Sequence, residues 1–417
     1  MVGHSRVLHG VRQGMFNDER RLAPPGNIKS RVAAAAYAML AGIALSLFLP
    51  PAAQAIVGTA VAADSEQLTW LKAGDFKSME RYFSGLQRSY EAGHLSDKQL
   101  YQGFRSLYQD DDTNAPYFDH WVKAYPKSYS ARLARGAYWY RMGWAARGNE
   151  FIDNTPPERI ARMEDYFAKS RPDLTDSLKL TAKPYLSVLY LLNVEILDGS
   201  ADARRHWLDL GTSIDPNNSL LRMRYMFSLQ PRWGGSIDVM AAFFNECVRR
   251  NAPAATLAEL RLSLASEMAE ALPTKTSQAE RLGRWNEVIE LAQAAGEPPP
   301  PQALAAYARS AWDLNRRDEA DRSLARLAQL DVSDAWTLSQ MAWIYVHEQR
   351  MAEGWAVLTR AAALNDAWSQ FAVGKTLVQG CPEIKLTADR VAGRLWIQRS
   401  ADQGFAEAIA YLATLDK

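Results

Sequence analysis

The amino-acid sequence predicts an all-α protein, built as an α-α superhelix in which helical hairpins stack side by side. Three observations support this prediction. A 34-residue period appears when residues 307–332 are aligned with residues 341–366. Apolar residues in the middle of the chain recur at helical spacing, as in residues 256–269. Between residues 64 and 297, few runs have the pattern of a β-strand.

Residues 1–55 are predicted to be an export signal with a long basic start. Within this segment, residues 32–49 carry no charge, follow two basic residues and precede Ala-Gln-Ala at positions 53–55. A basic segment, an apolar segment and a small-x-small site are the parts of a secretory signal peptide. We expect cleavage after Ala55 and a periplasmic or secreted product. The alternative is an uncleaved inner-membrane anchor at residues 32–49, with residues 64–417 exported.

Charge and cysteine content exclude several function classes. Residues 56–417 contain 42 Lys/Arg and 45 Asp/Glu, whereas nucleic-acid binding needs a clustered excess of basic residues. The only cysteines of the chain are Cys247 and Cys381, which excludes a disulfide framework and a cysteine-based zinc site. The sequence contains no histidine pair at zinc spacing, no phosphate-binding glycine loop and no nucleophile elbow. We therefore expect no metal, no cofactor and no catalytic residue.

Residues 64–297 are predicted to form a helical domain. Leu257, Leu260 and Leu264 would share one helix face. The turn sequence Asp-Pro-Asn-Asn at 215–218 precedes an apolar run, which is the pattern expected where a helical hairpin restarts.

This domain also carries a set of aromatic, arginine, glycine and proline residues: Trp121, Pro126, 128–132, Arg135, Gly136, Gly143, Trp144, Arg147, Gly148 and 231–236. Through these residues, the segment from about residue 68 to residue 245 resembles an uncharacterised bacterial family of domains of unknown function. Members of that family are often joined to helical repeats. The resemblance implies a helical domain and no known reaction.

Residues 298–417 are predicted to form a second domain of helical repeats. The four prolines at 298–301 make a stiff, extended spacer and mark the boundary. The 34-residue register aligns six residues with repeat positions: Met341, Ala342, Tyr345, Gly354, Leu358 and Ala361. They resemble the tetratricopeptide repeat, a helix–turn–helix unit, in a degenerate form that lacks its usual proline. Residues 395–408 resemble one Sel-like repeat, which is built from slightly longer hairpins.

Aromatic and arginine residues are concentrated in two short segments of the middle domain. The candidate binding residues are Arg132, Arg135, Tyr138, Arg141, Trp144 and Arg147 in the first segment, and Arg232 and Trp233 in the second. Aromatic rings stack on peptides or sugars, and guanidinium groups hold carboxylates. The alternative is that the rings fill the core between helices while the arginines are solvated or paired with acidic residues.

We expect an exported helical-repeat protein that acts as a protein- or peptide-binding scaffold in the bacterial envelope, without catalysis. The alternative is a cell-envelope enzyme that acts on glycan within a helical shell. Convergence of Arg132, Arg141, Trp144 and Trp233 on an open surface would favour the scaffold. A closed cleft with a buried pair of carboxylates would favour the enzyme.

Overall fold

A computed structural model of the protein describes residues 65–108, 111–148 and 155–415. The predicted export signal, residues 1–55, lies outside these ranges. Within them the chain forms 19 α-helices and no β-strand, with a single isolated bridge between Cys381 and Leu386. The predicted all-α class is therefore confirmed.

The helices follow one another through short turns. They are α1 (Glu66–Ala73), α2 (Phe76–Glu91), α3 (Asp97–Arg105), α4 (Ala115–Ala124), α5 (Tyr129–Arg147), α6 (Pro157–Ser177), α7 (Tyr185–Asp198), α8 (Ala201–Ile214), α9 (Leu220–Ser228), α10 (Ile237–Arg249), α11 (Ala254–Glu270), α12 (Gln278–Ala294), α13 (Pro301–Asp313), α14 (Arg317–Leu327), α15 (Ala335–His347), α16 (Met351–Ala363), α17 (Ala367–Gln379), α18 (Arg390–Asp402) and α19 (Ala406–Leu415).

Consecutive helices pack against each other as antiparallel hairpins, which is the predicted α-α superhelix. The hairpin α13–α14 begins at Pro301, and the hairpin α15–α16 begins 34 residues later at Ala335. The period seen in the sequence is therefore the repeat length of these hairpins.

Aspartate side chains cap the N-termini of two of the repeat helices. Oδ1 of Asp334 accepts the backbone N–H of Thr337, and Oδ1 of Asp366 accepts that of Ser369, each at 2.7 Å. A carboxylate at this position satisfies a donor that the helix leaves free and complements the positive end of the helix dipole. This local signal defines the starts of α15 and α17, although the usual repeat proline is absent.

Apolar packing continues along the whole series of helices. One buried cluster extends from Leu68 to Leu260, and a second extends from Leu262 to Ala361. The second cluster joins residues of α12 and α13, which pack against each other on either side of prolines 298–300, and Pro301 is the first residue of α13. The division of the chain at these prolines stays a prediction.

In the described part of the chain, no helix combines the length and the apolar composition needed to cross a bilayer.

Candidate binding site

The first two candidate arginines take part in an ion-pair network between α5 and α6. Arg135 binds both carboxylate oxygens of Asp173, with Nε donating at 2.6 Å and Nη2 at 2.8 Å. Arg132 donates to Asp173 at 3.3 Å and to Asp176 at 3.2 Å. Asp173 is buried, so its charge is compensated by these two guanidinium groups. Arg132 and Arg135 therefore join two helices.

Tyr138 packs in the core. Its ring stacks on Phe118 with centroids 4.7 Å apart, and its hydroxyl donates to the backbone oxygen of Asp111 at 3.0 Å. Burial raises the pKa of this phenol above its ordinary value. For Tyr138, the structure matches the alternative in which the candidate aromatics fill the space between helices.

Arg141 lies beside a group of buried tyrosines. Its guanidinium carbon is 6.0 Å from the ring centroid of Tyr108. Burial raises the pKa of Tyr108, and the positive charge of Arg141 acts in the opposite direction. Tyr140 and Tyr190 belong to the same group, with rings edge to face and 5.4 Å apart.

The two candidate segments meet at Trp144 and Trp233. Their rings are edge to face, with centroids 6.4 Å apart and planes at 87°. Trp233 also contacts Phe227 of α9 at 5.4 Å, and the guanidinium of Arg147 lies 5.8 Å from the Trp144 ring. Trp144, Trp233 and Phe227 are each half-buried, so one side of this cluster faces solvent.

These rings are part of a longer series of contacts between α3, α5, α7 and α9. We call this series the aromatic ribbon. Its members, in order of contact, are Tyr101, Tyr190, Tyr140, Trp144, Trp233 and Phe227, with successive centroids 5.4 to 6.4 Å apart. The middle of the ribbon is buried in the core, and its Trp144–Trp233–Phe227 end is accessible.

The turn that carries Trp233 depends on two glycines. Gly234 ends the short 3-10 turn Pro231–Trp233 with φ of 83°, a backbone conformation that residues other than glycine rarely adopt. A Cβ atom on Gly235 would lie 1.9 Å from the backbone oxygen of Leu229. The two glycines allow the chain to reverse tightly after Trp233. This turn places the Trp233 ring in contact with Phe227.

Charged side chains surround the accessible end of the ribbon. Arg232 donates to Gln230 and to Glu267 of α11, each at 2.9 Å. The guanidinium carbons of Arg224 and Arg232 each lie 5.7 Å from the Phe227 centroid, within cation–π range.

A second acidic residue of α11 lies close to this ion pair. Burial raises the pKa of Glu270, and the neighbouring charge of Glu267 raises it further, while Arg232 lowers it. Burial also raises the pKa of Glu267, against the effect of Arg232. The site thus holds two carboxyl groups on one helix: Glu267 is ion-paired with Arg232, and burial raises the pKa of Glu270.

Sequence reasoning did not identify Asp173, Arg224, Phe227 or Glu267. Arg224 and Phe227 are three residues apart on α9, a spacing that places them on one helix face. From that spacing, the cation–π contact between Arg224 and Phe227 could have been predicted. The roles of Asp173 and Glu267 depend on contacts between helices, and no local pattern marks them.

The described residues hold no cluster of three His, Cys, Asp or Glu side chains suited to a metal ion. Cys247 and Cys381 are both buried free thiols.

Comparison with protein-family models finds no match for this chain, and comparison with curated proteins finds no similar sequence. The resemblances to a family of unknown function, to tetratricopeptide repeats and to Sel-like repeats therefore stay predictions.

Proposed function

We propose that the chain is an exported scaffold of helical repeats that binds a protein or peptide segment at the accessible end of the aromatic ribbon. The observation that carries this proposal is the meeting of Trp144, Trp233 and Phe227. Trp144 comes from α5, whereas Phe227 and Trp233 come from α9 and the turn after it, and the three half-buried side chains meet in one cluster. Trp beside Arg is the composition typical of the energetic centre of protein interfaces.

The predicted export signal places this binding activity in the bacterial envelope, where the partner is an envelope protein or peptide. The excess of acidic over basic residues after position 55 supports a protein partner over a nucleic acid. Contact with the membrane is proposed only through residues 32–49, and only if the signal stays uncleaved.

Capture of partners from envelope extract by the full chain tests this proposal. We expect Trp144→Ala and Trp233→Ala to lose the captured partners, because each removes a large apolar contact surface from the site. Trp396→Ala is the matched control, since Trp396 is also half-buried but lies on α18. Retention of every partner by the Trp144→Ala/Trp233→Ala double variant would show that the ribbon is not the binding surface.

A second candidate function, an envelope enzyme acting on glycan, is favoured by the carboxyl pair on α11. A general acid must keep its proton near neutral pH, and the surroundings of Glu270 raise its pKa in that direction. Incubation of the full chain with cell-wall glycan, followed by measurement of soluble fragments, tests this candidate. Fragment release that disappears in Glu270→Gln would support the enzyme, and no release by the unmodified chain would exclude this reaction.

A further inference from the structure

The accessible end of the aromatic ribbon contains an arginine that lacks a polar partner. Arg224 is half-buried on α9. Within the described part of the chain it forms no hydrogen bond or ion pair: its guanidinium carbon lies 5.7 Å from the Phe227 centroid, and its positive charge opposes the rise that burial causes in the pKa of Tyr140. Arg232, beside the same ring, has hydrogen-bond partners. A guanidinium beside apolar rings is weakly hydrated and prefers a planar anion such as a carboxylate.

Arg232 provides a second positive charge at the same ring. Its Nε and Nη2 atoms are engaged by Gln230 and Glu267, which hold the guanidinium in place over Phe227. Its Nη1 atom is shielded from solvent. Arg232 therefore contributes positive charge beside Phe227 but no donor that a ligand can reach.

The charge balance also favours an anion. Arg224 and Arg232 contribute two positive charges next to Phe227, and Glu267 neutralises one of them through its ion pair. Within the described part of the chain Arg224 forms no ion pair, so its positive charge remains beside the rings.

We propose that this site binds an acidic peptide segment, with a Glu or Asp carboxylate bound by Arg224, next to the positive charge of Arg232, and a neighbouring aromatic or large apolar side chain against Trp144 and Trp233. The inference rests on the proposed function, because it names the chemistry of the partner at that same surface. The edge-to-face packing of the two tryptophans turns their ring planes at 87° to each other, so the pair does not form one continuous flat surface of the kind that stacks on a pyranose.

Fluorescence anisotropy with two labelled peptides tests the inference on the full chain. The peptides are identical except that one contains Glu-Phe and the other Gln-Phe. We expect the Glu peptide to bind about tenfold more tightly, the difference typical of one charge-assisted hydrogen bond. Arg224→Gln should abolish this preference, and Arg322→Gln, which removes an exposed arginine from α14, should retain it.

Equal binding of the two peptides by the unmodified chain would overturn the carboxylate assignment while leaving the scaffold proposal in place. Preference for an acidic oligosaccharide such as polygalacturonate over both peptides would overturn the peptide assignment in favour of a glycan. Binding of neither peptide would also overturn it. The scaffold proposal itself fails only if the capture experiment shows no loss on removal of Trp144 and Trp233.

Discussion

Gly374 and Gly393 allow the backbones of α17 and α18 to touch. A Cβ atom on Gly393 would lie 2.7 Å from the carbonyl oxygen of Gly374 and 2.8 Å from the backbone nitrogen of Val378. Such distances are shorter than van der Waals contact, so any larger residue would push the helices apart. The glycines inside these helices therefore serve close packing, whereas Gly380 and Gly404, with φ of 75° and 79°, serve the helix ends.

Gly393→Ala is therefore expected to destabilise the protein. Overpacking of a close helix contact costs about 1–3 kcal/mol of the free energy of unfolding. Gly85→Ala is the control, since Gly85 lies inside α2 with nothing within 4 Å of its added Cβ. That change should stabilise by about 0.5–1 kcal/mol through helix propensity. Urea unfolding measures both, and equal effects of the two changes would contradict the close packing of α17 and α18.

Gln349→Gly is expected to stabilise the turn between α15 and α16. Gln349 has φ of 59°, a left-handed conformation that costs a side-chain-bearing residue about 1 kcal/mol. Asn315 has nearly the same φ, 60°, at the equivalent turn of the preceding hairpin. Because Asn tolerates this conformation, Asn315→Gly should stabilise less. The midpoints of urea unfolding compare the two variants, and a larger gain from Asn315→Gly would refute the explanation.

Asp173→Ala is expected to destabilise the packing of α5 on α6 by about 1–3 kcal/mol, because it removes the buried partner that Arg132 and Arg135 share, although Asp176 and Asp119 still pair with them. Asp176→Ala should have little effect, since the Asp176 side chain is 61% exposed and the ion pair is screened by water. Thermal unfolding followed by circular dichroism measures both variants. Similar melting temperatures for the two would show that Asp173 has no special role.

The stability of the protein should fall as pH rises from about 5 to about 7. Burial raises the pKa of Glu297 from 4.5 to about 7, with Glu259 raising it further and Lys98 lowering it. The folded chain keeps this proton where the unfolded chain has lost it, so the contribution to stability is present below pH 4.5 and is lost as pH rises towards 7. Burial also raises the pKa of Glu270, which adds to the same trend.

Urea unfolding of the unmodified chain and of Glu297→Gln at pH 5 and pH 8 checks this expectation. Gln carries no titratable proton, so the variant should show a smaller loss of stability between the two pH values. Glu290→Gln is the control, because Glu290 lies exposed on the neighbouring helix α12. An unchanged pH dependence in Glu297→Gln would disprove the role of this carboxyl group.

The candidate site was predictable in part. Sequence reasoning identified Trp144 and Trp233 as residues of interest, but it did not predict that they touch. It grouped Arg132 and Arg135 with them, whereas both side chains contact Asp173 of α6. Residues of one helix separate onto different faces, and a list of neighbours in sequence does not show which helix covers each face.

The sequence by itself determined the helical class, the 34-residue hairpin period and the start of α9 after the Asp-Pro-Asn-Asn turn at 215–218. These features depend on residues within one or two turns of each other, so local spacing is sufficient to predict them. Only the tertiary structure decided that Arg224 and Arg232 lie over the same Phe227 ring beside Trp233. Those contacts join distant segments, and they depend on how the hairpins stack, because side chains of different helices meet only after the apolar faces are buried.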